Sequence, residues 1–346
     1  MRATIQDVAR RAGVSATTVS HTFSGHGVVA PGTRERVREV ARELGYRPDA
    51  IARGLRSNRL GVLGLVVRPL DTLDTVLPDG VDYFLRFAGS AALAAVERGY
   101  GLMLVPDPSQ DDSPAIGLAC DGFLITEPVA NDPLISLLTR DCVPFLGVGQ
   151  DPARPMTEDY LDVATDRLTT EVLDHLAETG GTRVALVLGT DPNAWNRDAE
   201  AAYLAWTAAR GQDPVVLRRA ETAGQAGGHT AGEELFRLAA PPDAVLCQTG
   251  RQAAGVLAAA RERGLSVPGD VRIAAGSDSE HTRAARPTIT AADLRPDRLA
   301  RTAVATLVAR IEGAAPPEPA GPPDYALVVR ESTAGPDAGR GGIPGA

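Results

Sequence analysis

The short polar side chains just after residue 16 are of the kinds that contact the bases of DNA. Thr17, Thr18, Ser20 and His21 each carry a hydrogen-bonding group on a short stem. When one face of a helix presents such side chains, they reach base edges in the major groove. The spacing therefore predicts a base-contacting helix.

A group of arginines follows the polar set and predicts contacts to phosphate. Arg34, Arg36, Arg38 and Arg42 stand on the outer face of a predicted helix, and guanidinium groups bind phosphate oxygens. Residues 1–60 hold eleven Arg and five acidic residues, a net charge of +6. The remainder holds 24 Arg and 39 acidic residues, or −15, which gives the total of −9. A basic segment on an acidic body favours binding of the segment to a polyanion.

Two short helices joined by a tight turn would position these side chains. Thr4 and Asp7 form a capping pattern at the start of a helix that Gly13 ends, and Ser15 is the expected N-cap of the second helix. The second helix has one apolar face, and a third is expected from Thr33 to the stop at Gly45. Each element alone is commonplace. Their order, their spacing and the local charge together favour a DNA-binding helix-turn-helix.

The residues that carry this pattern also carry a resemblance. The segments ATIQDVARRAGVSATTVSHTFSG and TRERVREVARELGYRPDAIARGLRS resemble the headpiece of the lactose/galactose repressor (LacI/GalR) family over residues 3–57, and within it are most similar to the purine repressors. The resemblance implies that Ala16, Thr17 and His21 read bases, with Thr18 and Ser20 beside them. Ala16 departs from the family pattern, because it offers only apolar contact, for instance to a thymine methyl group.

A short hinge is expected between the headpiece, residues 1–47, and the body. The segment RPDAIARGLRS is too short to be a stable helix alone, and Gly54 weakens it further. The resemblance implies that residues 48–59 order on DNA, with Leu55 entering the minor groove and Arg56 beside it. The alternative is an ordinary linker with Leu55 packed on the body.

Beyond residue 60, apolar runs alternate with helical patterns. The expected strands are 62–67, 102–105, 122–126, 143–148, 184–188, 215–217, 244–247 and 271–275, and the expected helices are 83–97, 166–178, 198–210, 229–238, 251–263 and 296–312. This order predicts an α/β fold with doubly wound parallel sheets, and the strand number predicts two lobes. The resemblance implies a periplasmic-binding-protein-like core for effector binding and dimerisation over residues 60–333. The Gly- and Pro-rich residues 334–346 are expected to be a disordered tail.

A ligand of such a core is expected in the cleft at the carboxyl ends of the strands. Aromatic rings there would stack on a sugar or purine, while carboxylates and arginines would bind its polar groups. The candidates are Tyr83, Phe84, Asp162, Trp195, Arg197, Thr249 and Asp278. Asp278 aligns with the family's effector-contacting Asp; the alternative is an Asp that caps a loop or helix.

Two positions depart from the family in the cleft. The family's effector-binding Arg falls on Ala199, with Arg197 as the nearby substitute, and its Asn-Asp pair falls on Thr249-Gly250. Either the effector differs from the usual monosaccharide or effector control is weakened, because changed polar anchors mean a changed ligand.

The expected function is a homodimeric transcriptional regulator, most often a repressor, that binds a pseudo-palindromic operator in double-stranded DNA under control of a sugar or nucleoside-like effector. One alternative is an effector-independent DNA binder of the same fold, and another is a solute-binding protein. An enzyme is disfavoured, because the chain has no lysine and none of the phosphate-loop, nucleophile-elbow or metalloprotease motifs. No cofactor or metal is expected.

The remaining expectations concern compartment and thiols. The start lacks an apolar signal segment and no run approaches a membrane span, which predicts a cytoplasmic protein without a membrane partner. Cys120, Cys142 and Cys247 each adjoin apolar residues and are expected to be buried free thiols.

Overall fold

The computed structural model describes residues 3–24, 27–46, 59–67, 82–110, 119–154, 158–316 and 325–334. The chain divides into two compact units, Met1–Val62 and Leu63–Ala346. Most of the predicted hinge, including Leu55 and Arg56, and the predicted tail after residue 334 lie outside the described residues.

The first unit contains three helices around one small core. They are α1 (Ile5–Ala12), α2 (Ala16–Ser24) and α3 (Pro31–Glu43). The core side chains come from all three helices, as the helical spacing predicts: Val8, Ala9, Ala12, Val19, Val37, Val40 and Ala41. The third helix begins two residues earlier than Thr33, because Pro31 occupies its first turn, where a fixed φ and a missing N–H cost nothing.

Local caps fix the turn between the first two helices. The Thr4 side chain and Asp7 form the predicted capping box, and Gly13 ends α1 in the left-handed region at φ +66°. The Ser15 hydroxyl accepts a hydrogen bond from the backbone N–H of Thr18 at 3.0 Å, which caps α2. These bonds set the direction in which α2 leaves the turn.

The second unit is built from eleven strands and eight helices in its described part. The strands are β1 (Val62–Val67), β2 (Gly101–Leu104), β3 (Gly122–Thr126), β4 (Phe145–Val148), β5 (Tyr160–Leu161), β6 (Val184–Leu188), β7 (Val215–Arg218), β8 (Ala244–Cys247), β9 (Arg272–Ala275), β10 (Thr290–Asp293) and β11 (Ala326–Val328). The helices are α4 (Asp82–Glu97), α5 (Pro133–Arg140), α6 (Thr165–Glu178), α7 (Ala194–Arg210), α8 (Gly224–Leu235), α9 (Gly250–Glu262), α10 (Glu280–Ala284) and α11 (Pro296–Glu312).

The strands form two sheets, one in each lobe. The sheet of the first lobe has the order β2-β1-β3-β4-β5, and the sheet of the second lobe has the order β11-β10-β9-β8-β6-β7. The recorded pairings are parallel, except that β11 pairs antiparallel with β10 at the sheet edge. The predicted doubly wound α/β fold with two lobes is confirmed, with this antiparallel edge strand as an addition.

Helices cover both faces of the second sheet, and the side chains of β6 alternate between them. Ala185 and Val187 pack with α8 and α9, whereas Val184, Leu186 and Leu188 pack with α6 and α7. A strand buried on both faces reads as a continuous apolar run, which is why VALVL was recognisable. In the first lobe, α4 and α11 cover one face of the sheet.

The chain passes between the lobes three times. It leaves the first lobe between β5 and α6, returns between β10 and α11, and crosses again before β11. Two residues that are not glycine, Ala164 and Arg295, have φ of 48° immediately before the helices that follow the first two crossings. The first lobe is therefore completed by residues near the end of the chain.

Several sequence predictions need correction at this level. The helix expected from Asp198 begins at Ala194, because Asn193 caps it, and the helix expected at 229–238 lies at Gly224–Leu235. The described cysteines are free thiols, but Cys142 is exposed rather than buried, because it lies in the turn after α5. Among the helices in the described ranges, none combines the length and apolar character of a bilayer span.

Candidate DNA-contacting surface and ligand cleft

The predicted base-contacting side chains lie on the outer side of α2. Thr17 is exposed, and Thr18, Ser20 and His21 are partly exposed. The Thr18 hydroxyl lies 2.9 Å from the Ser15 hydroxyl, so part of its hydrogen-bonding capacity serves the helix start. Ala16 packs partly against the helical core and presents only part of its methyl group. The geometry thus leaves Thr17 as the most accessible polar side chain of the set.

The loop between α2 and α3 adds a residue that the sequence did not single out. Val28 is fully exposed, although its neighbour Val29 is buried. Gly27 lies so close to the His21 ring that a Cβ there would stand 2.5 Å from Nδ1. The loop therefore restricts the position of the His21 ring. Two consecutive valines in a Gly-rich loop next to a predicted contact helix were the available signal.

The arginines of α3 add positive charge to the same unit. Arg36 and Arg38 are exposed and make no ion pair with the residues that the structure describes, whereas Arg42 pairs with Glu39 at 3.7 Å. Exposed guanidinium groups of this kind can bind phosphates without any change in the core.

The second unit contains a cavity between its lobes with a volume of about 140 Å³. By the measure in which one water needs roughly 10–15 Å³, this is room for about ten waters or a ligand of sugar size. Six of the seven predicted effector residues line it: Tyr83, Phe84, Asp162, Trp195, Thr249 and Asp278. Parallel strands of both sheets end at this cavity, as expected for open α/β sheets.

An aromatic pair forms the wall contributed by the first lobe. The rings of Tyr83 and Phe84 stand edge to face with centroids 5.1 Å apart. Burial raises the pKa of Tyr83, and the nearby Glu127 carboxylate raises it further, so the phenol stays neutral and can donate a hydrogen bond. Asp162 lies near the first crossing, where its Oδ1 accepts from the backbone N–H of Ala164 at 2.9 Å.

Asp278 lines the cavity, but protein donors already occupy its carboxylate. Arg330 donates to both oxygens at 2.8 and 3.0 Å, Arg283 donates at 2.9 Å, and the Thr282 hydroxyl donates as well. Burial acts to raise the pKa of Asp278, but the bonds from Arg330 and Thr282 outweigh it, and the pKa is lowered. The residue predicted as the main effector contact therefore also anchors the edge of the second sheet.

The structure does not bring Arg197 into the cavity lining. Its guanidinium donates to Asp198 at 2.7 Å and to the carbonyl of Pro152 in the first lobe at 3.0 Å, so it joins the lobes instead. Ala199 is fully buried in the core of the second lobe with Tyr203 and Trp206. The prediction that Arg197 substitutes for an effector-binding arginine is corrected accordingly.

Thr249 and Gly250 have local structural roles. The Thr249 side chain and Gln252 form a capping box at the start of α9. A Cβ at Gly250 would stand 2.3 Å from the Ser279 hydroxyl, so glycine permits the close approach of α9 to the loop after β9.

Two cleft carboxylates were not predicted. Glu127 directly follows β3 with φ of 47°, and the Nδ2 group of Asn193 donates to it at 3.5 Å. Burial, followed by repulsion from the carboxylates of Asp191 and Glu221, raises the pKa of Glu127 to about 7. The Glu221 carboxylate lies opposite in the second lobe. Glu127 could have been identified from the sequence, because it directly follows the end of a strand. Glu221 lies in a 3-10 turn and has no such sequence signal.

Backbone donors hold Glu221 in place. The N–H groups of Thr190 and Asp191 donate to its carboxylate at 3.0 and 3.1 Å, and the Nδ2 group of Asn196 donates at 2.8 Å. Burial, followed by the neighbouring Glu221 carboxylate, raises the pKa of Asp191 to about 6. Within the described ranges, no group of three or more His, Cys, Asp or Glu could hold a metal ion.

Comparison with known proteins agrees with this arrangement. The profile of bacterial regulatory proteins of the lacI family matches residues 4–49, and that of the periplasmic binding protein-like domain matches residues 173–333. The chain is 28% identical over 357 residues to the HTH-type transcriptional repressor PurR of Glaesserella parasuis serovar 5 (strain SH0165), covering 95% of this chain and 98% of the relative.

Solved structures extend the similarity over the full length. The transcriptional regulator CelR-cellobiose complex is 26% identical with a TM-score of 0.67, over 96% of this chain and 100% of that one. The lac repressor dimer bound to operator and the anti-inducer ONPF is 21% identical with a TM-score of 0.79, over 96% and 99%. The second similarity supports the fold.

Proposed function

The chain belongs to the lacI family of bacterial regulatory proteins and is a DNA-binding transcriptional regulator, and on that premise we propose that it represses transcription as a homodimer on a pseudo-palindromic operator. We place it in the cytoplasm with the DNA and assign it no catalytic role. The observation that carries the proposal is the outer face of α2, where Thr17 is exposed and His21 is partly exposed on a capped helix.

The apolar surface of the first lobe supports dimerisation. Leu85, Leu93 and Val96 on α4 and Leu104 on β2 are each more than half exposed. Exposed apolar side chains on neighbouring elements favour a protein interface, because a monomer would leave them in water. A dimer would present two headpieces to the two half-sites of an operator.

The cleft supports control by a small molecule. A ligand there would contact both lobes and would favour the lobe arrangement that binds it better. The resulting shift in operator affinity cannot exceed the difference in the ligand's affinity for the two lobe arrangements. Cellobiose in the CelR complex is bound by that relative; for this chain we propose a polar ligand of similar size, a sugar or a nucleoside.

The test is selection of bound sequences from a random DNA pool by the full-length protein at a fixed moderate salt concentration, because phosphate contacts make affinity salt-dependent. We expect a pseudo-palindromic consensus. Thr17→Ala and His21→Ala should each relax the preference at one position per half-site and weaken binding roughly 5- to 100-fold. Thr230→Ala, on α8 in the second unit, is the matched control. Enrichment of no sequence would refute the proposal.

A regulator without effector control is the second candidate. The occupied carboxylate of Asp278 and the burial of Ala199 favour it, because neither position offers a free polar anchor. Once an operator is known, a constant operator affinity across a sugar and nucleoside panel would support this candidate, whereas a ligand-dependent change would exclude it.

A further inference from the structure

The loop between α2 and α3 presents an apolar side chain on the DNA-binding unit. Val28 is fully exposed, and no other large apolar side chain in the described part of the chain is as exposed. The next residue, Val29, is buried, so the backbone turns one valine into the unit and the other into solvent. A single exposed valine is ordinary on a protein surface, so a role for Val28 must be argued from what lies beside it.

The backbone just before Val28 lies against the His21 ring. Gly27 has φ of +83°, and a Cβ there would stand 2.5 Å from Nδ1 and 3.0 Å from Cε1 of His21. Glycine permits both this φ and this close approach. On the other side of the loop, α3 begins at Pro31. Val28 is therefore held one residue away from a contact with the predicted base-contacting face of α2.

The chemistry of the DNA surface limits what Val28 can contact. Phosphate oxygens and most base edges in the major groove form hydrogen bonds, and an apolar side chain would desolvate them without a bond in return. The C5-methyl group of thymine is the apolar exception. Ala16, the apolar contact expected from the sequence, packs partly against the helical core and has one methyl group. Val28 has two methyl groups in solvent and therefore offers the larger apolar contact.

We propose that Val28 is a specificity-determining residue that contacts the C5-methyl group of one thymine in each operator half-site, next to the base pair that His21 contacts. The inference rests on the proposed function, because it needs an operator, and it adds a residue outside α2 to the base readout. Successive Cα atoms are about 3.8 Å apart and successive base pairs about 3.4 Å apart, so a residue one position beyond the contact with His21 reaches an adjoining base pair.

The test removes the methyl group from the DNA and the apolar side chain from the protein. The probe is the consensus operator selected by the full-length protein, and each thymine of one half-site is replaced in turn by uracil, which pairs in the same way but lacks the methyl group. We expect one thymine at which uracil weakens wild-type binding roughly 3- to 10-fold, because a small apolar contact is lost. With Val28→Ala, the same replacement should change the affinity by less than about 2-fold, because the two changes remove the same contact.

Sequence selection with the same variant gives a second measurement. With Val28→Ala, the preference for thymine should relax at the uracil-sensitive position, and that position should adjoin the one that His21→Ala relaxes. Cytosine at this position should weaken wild-type binding, and 5-methylcytosine should recover part of the loss, because it restores a methyl group in the major groove. Val329→Ala, at a half-exposed valine of the second unit, is the matched control and should leave both measurements unchanged.

Three results would overturn the inference and leave the proposed function standing. The first is a half-site that contains no thymine or tolerates uracil at every thymine. The second is a uracil effect of equal size in Val28→Ala and in the wild type. The third is a loss of affinity in Val28→Ala that is the same for every sequence, as a contact to the sugar–phosphate backbone would give. Selection of no consensus at all would refute the proposed function, and this inference with it.

Discussion

Arg330→Met should destabilise the second unit, because it leaves the carboxylate of Asp278 buried without its main partner. The side chain of Asp278 is 8% exposed and that of Arg330 is 15% exposed. Two N–H···O bonds of 2.8 and 3.0 Å join them. The pair joins the segment just after β11 to the loop after β9, across 52 positions of the chain.

The magnitude follows from burial. Removal of one partner of a buried pair costs roughly 3–5 kcal/mol, because an uncompensated charge remains. Arg283 stays at 2.9 Å and Thr282 also donates, so we expect the lower part of that range, about 3 kcal/mol in the free energy of unfolding. Asp278→Asn should also destabilise, and the double variant should cost at least ~1 kcal/mol less than the sum of the single changes.

The pH dependence has a defined sign. The pKa of Asp278 is lowered in the folded chain, so its stabilisation is present above the ordinary Asp pKa and is lost as the pH falls through the folded value. The loss in free energy of unfolding caused by Arg330→Met should therefore be largest near pH 7. In acid, the stability of the variant should approach that of the wild type.

Urea unfolding of the full-length chain at pH 7 and in acid measures these differences. The matched control is Arg218→Met, which removes an ion pair with Glu200 at a more exposed site and should cost no more than ~1 kcal/mol. The structural role of the Arg330–Asp278 pair would be refuted if Arg330→Met lowered the free energy of unfolding by less than ~0.5 kcal/mol. Full additivity of the two single changes in the double variant would refute it as well. If Asp278→Asn instead abolished ligand binding and left the free energy of unfolding unchanged, Asp278 would be an effector-binding residue and not a structural one.

Four further changes test other parts of the chain. Ser15→Ala should destabilise the headpiece by about 1 kcal/mol in thermal unfolding, because the cap of α2 is lost; an unchanged midpoint would contradict the capping role. Leu93→Asp should convert a dimer into monomers in analytical ultracentrifugation, whereas a dimer of unchanged affinity would place the interface elsewhere. Glu127→Gln should stabilise the ligand-free protein by at most ~3 kcal/mol at pH 8 and little at pH 4.5, because the raised pKa of about 7 means that the destabilising charge develops as the pH rises; equal effects at both pH values would contradict this. Val37→Ala should cost roughly 1–3 kcal/mol of headpiece stability through a cavity in its core, and retained cooperative unfolding at the wild-type midpoint would contradict the packing.

The sequence predicted the headpiece almost completely, because its determinants are local. Thr4, Asp7, Gly13 and Ser15 act within a few residues, and the apolar spacing alone selects the core. The doubly wound fold was predictable for a similar reason, since strands such as VALVL are continuous apolar runs.

The chemistry of the cleft was less predictable, because it depends on contacts between distant segments. Asp278 was found by alignment, but Arg330 reaches it only through the antiparallel pairing of a three-residue strand. The burial of Ala199 and the position of Arg197 outside the cavity lining depend on the rotation of α7, which Asn193 caps five residues before the predicted start at Asp198. Glu221 faces Glu127 only because both lobes approach each other.

The first lobe cannot complete its core until nearly the whole chain has left the ribosome. Its sheet packs against α11, whose side chains from Ala300 to Ile311 belong to the same buried cluster as Leu63 and Phe87. The headpiece, in contrast, has its core side chains within the first 41 residues. We therefore expect the DNA-binding domain of the nascent chain to fold before the second unit can fold. Until α11 has been synthesised, the apolar strands of the first lobe remain exposed to solvent. Slow synthesis or truncation near the end of the chain should expose those strands to aggregation and to chaperones.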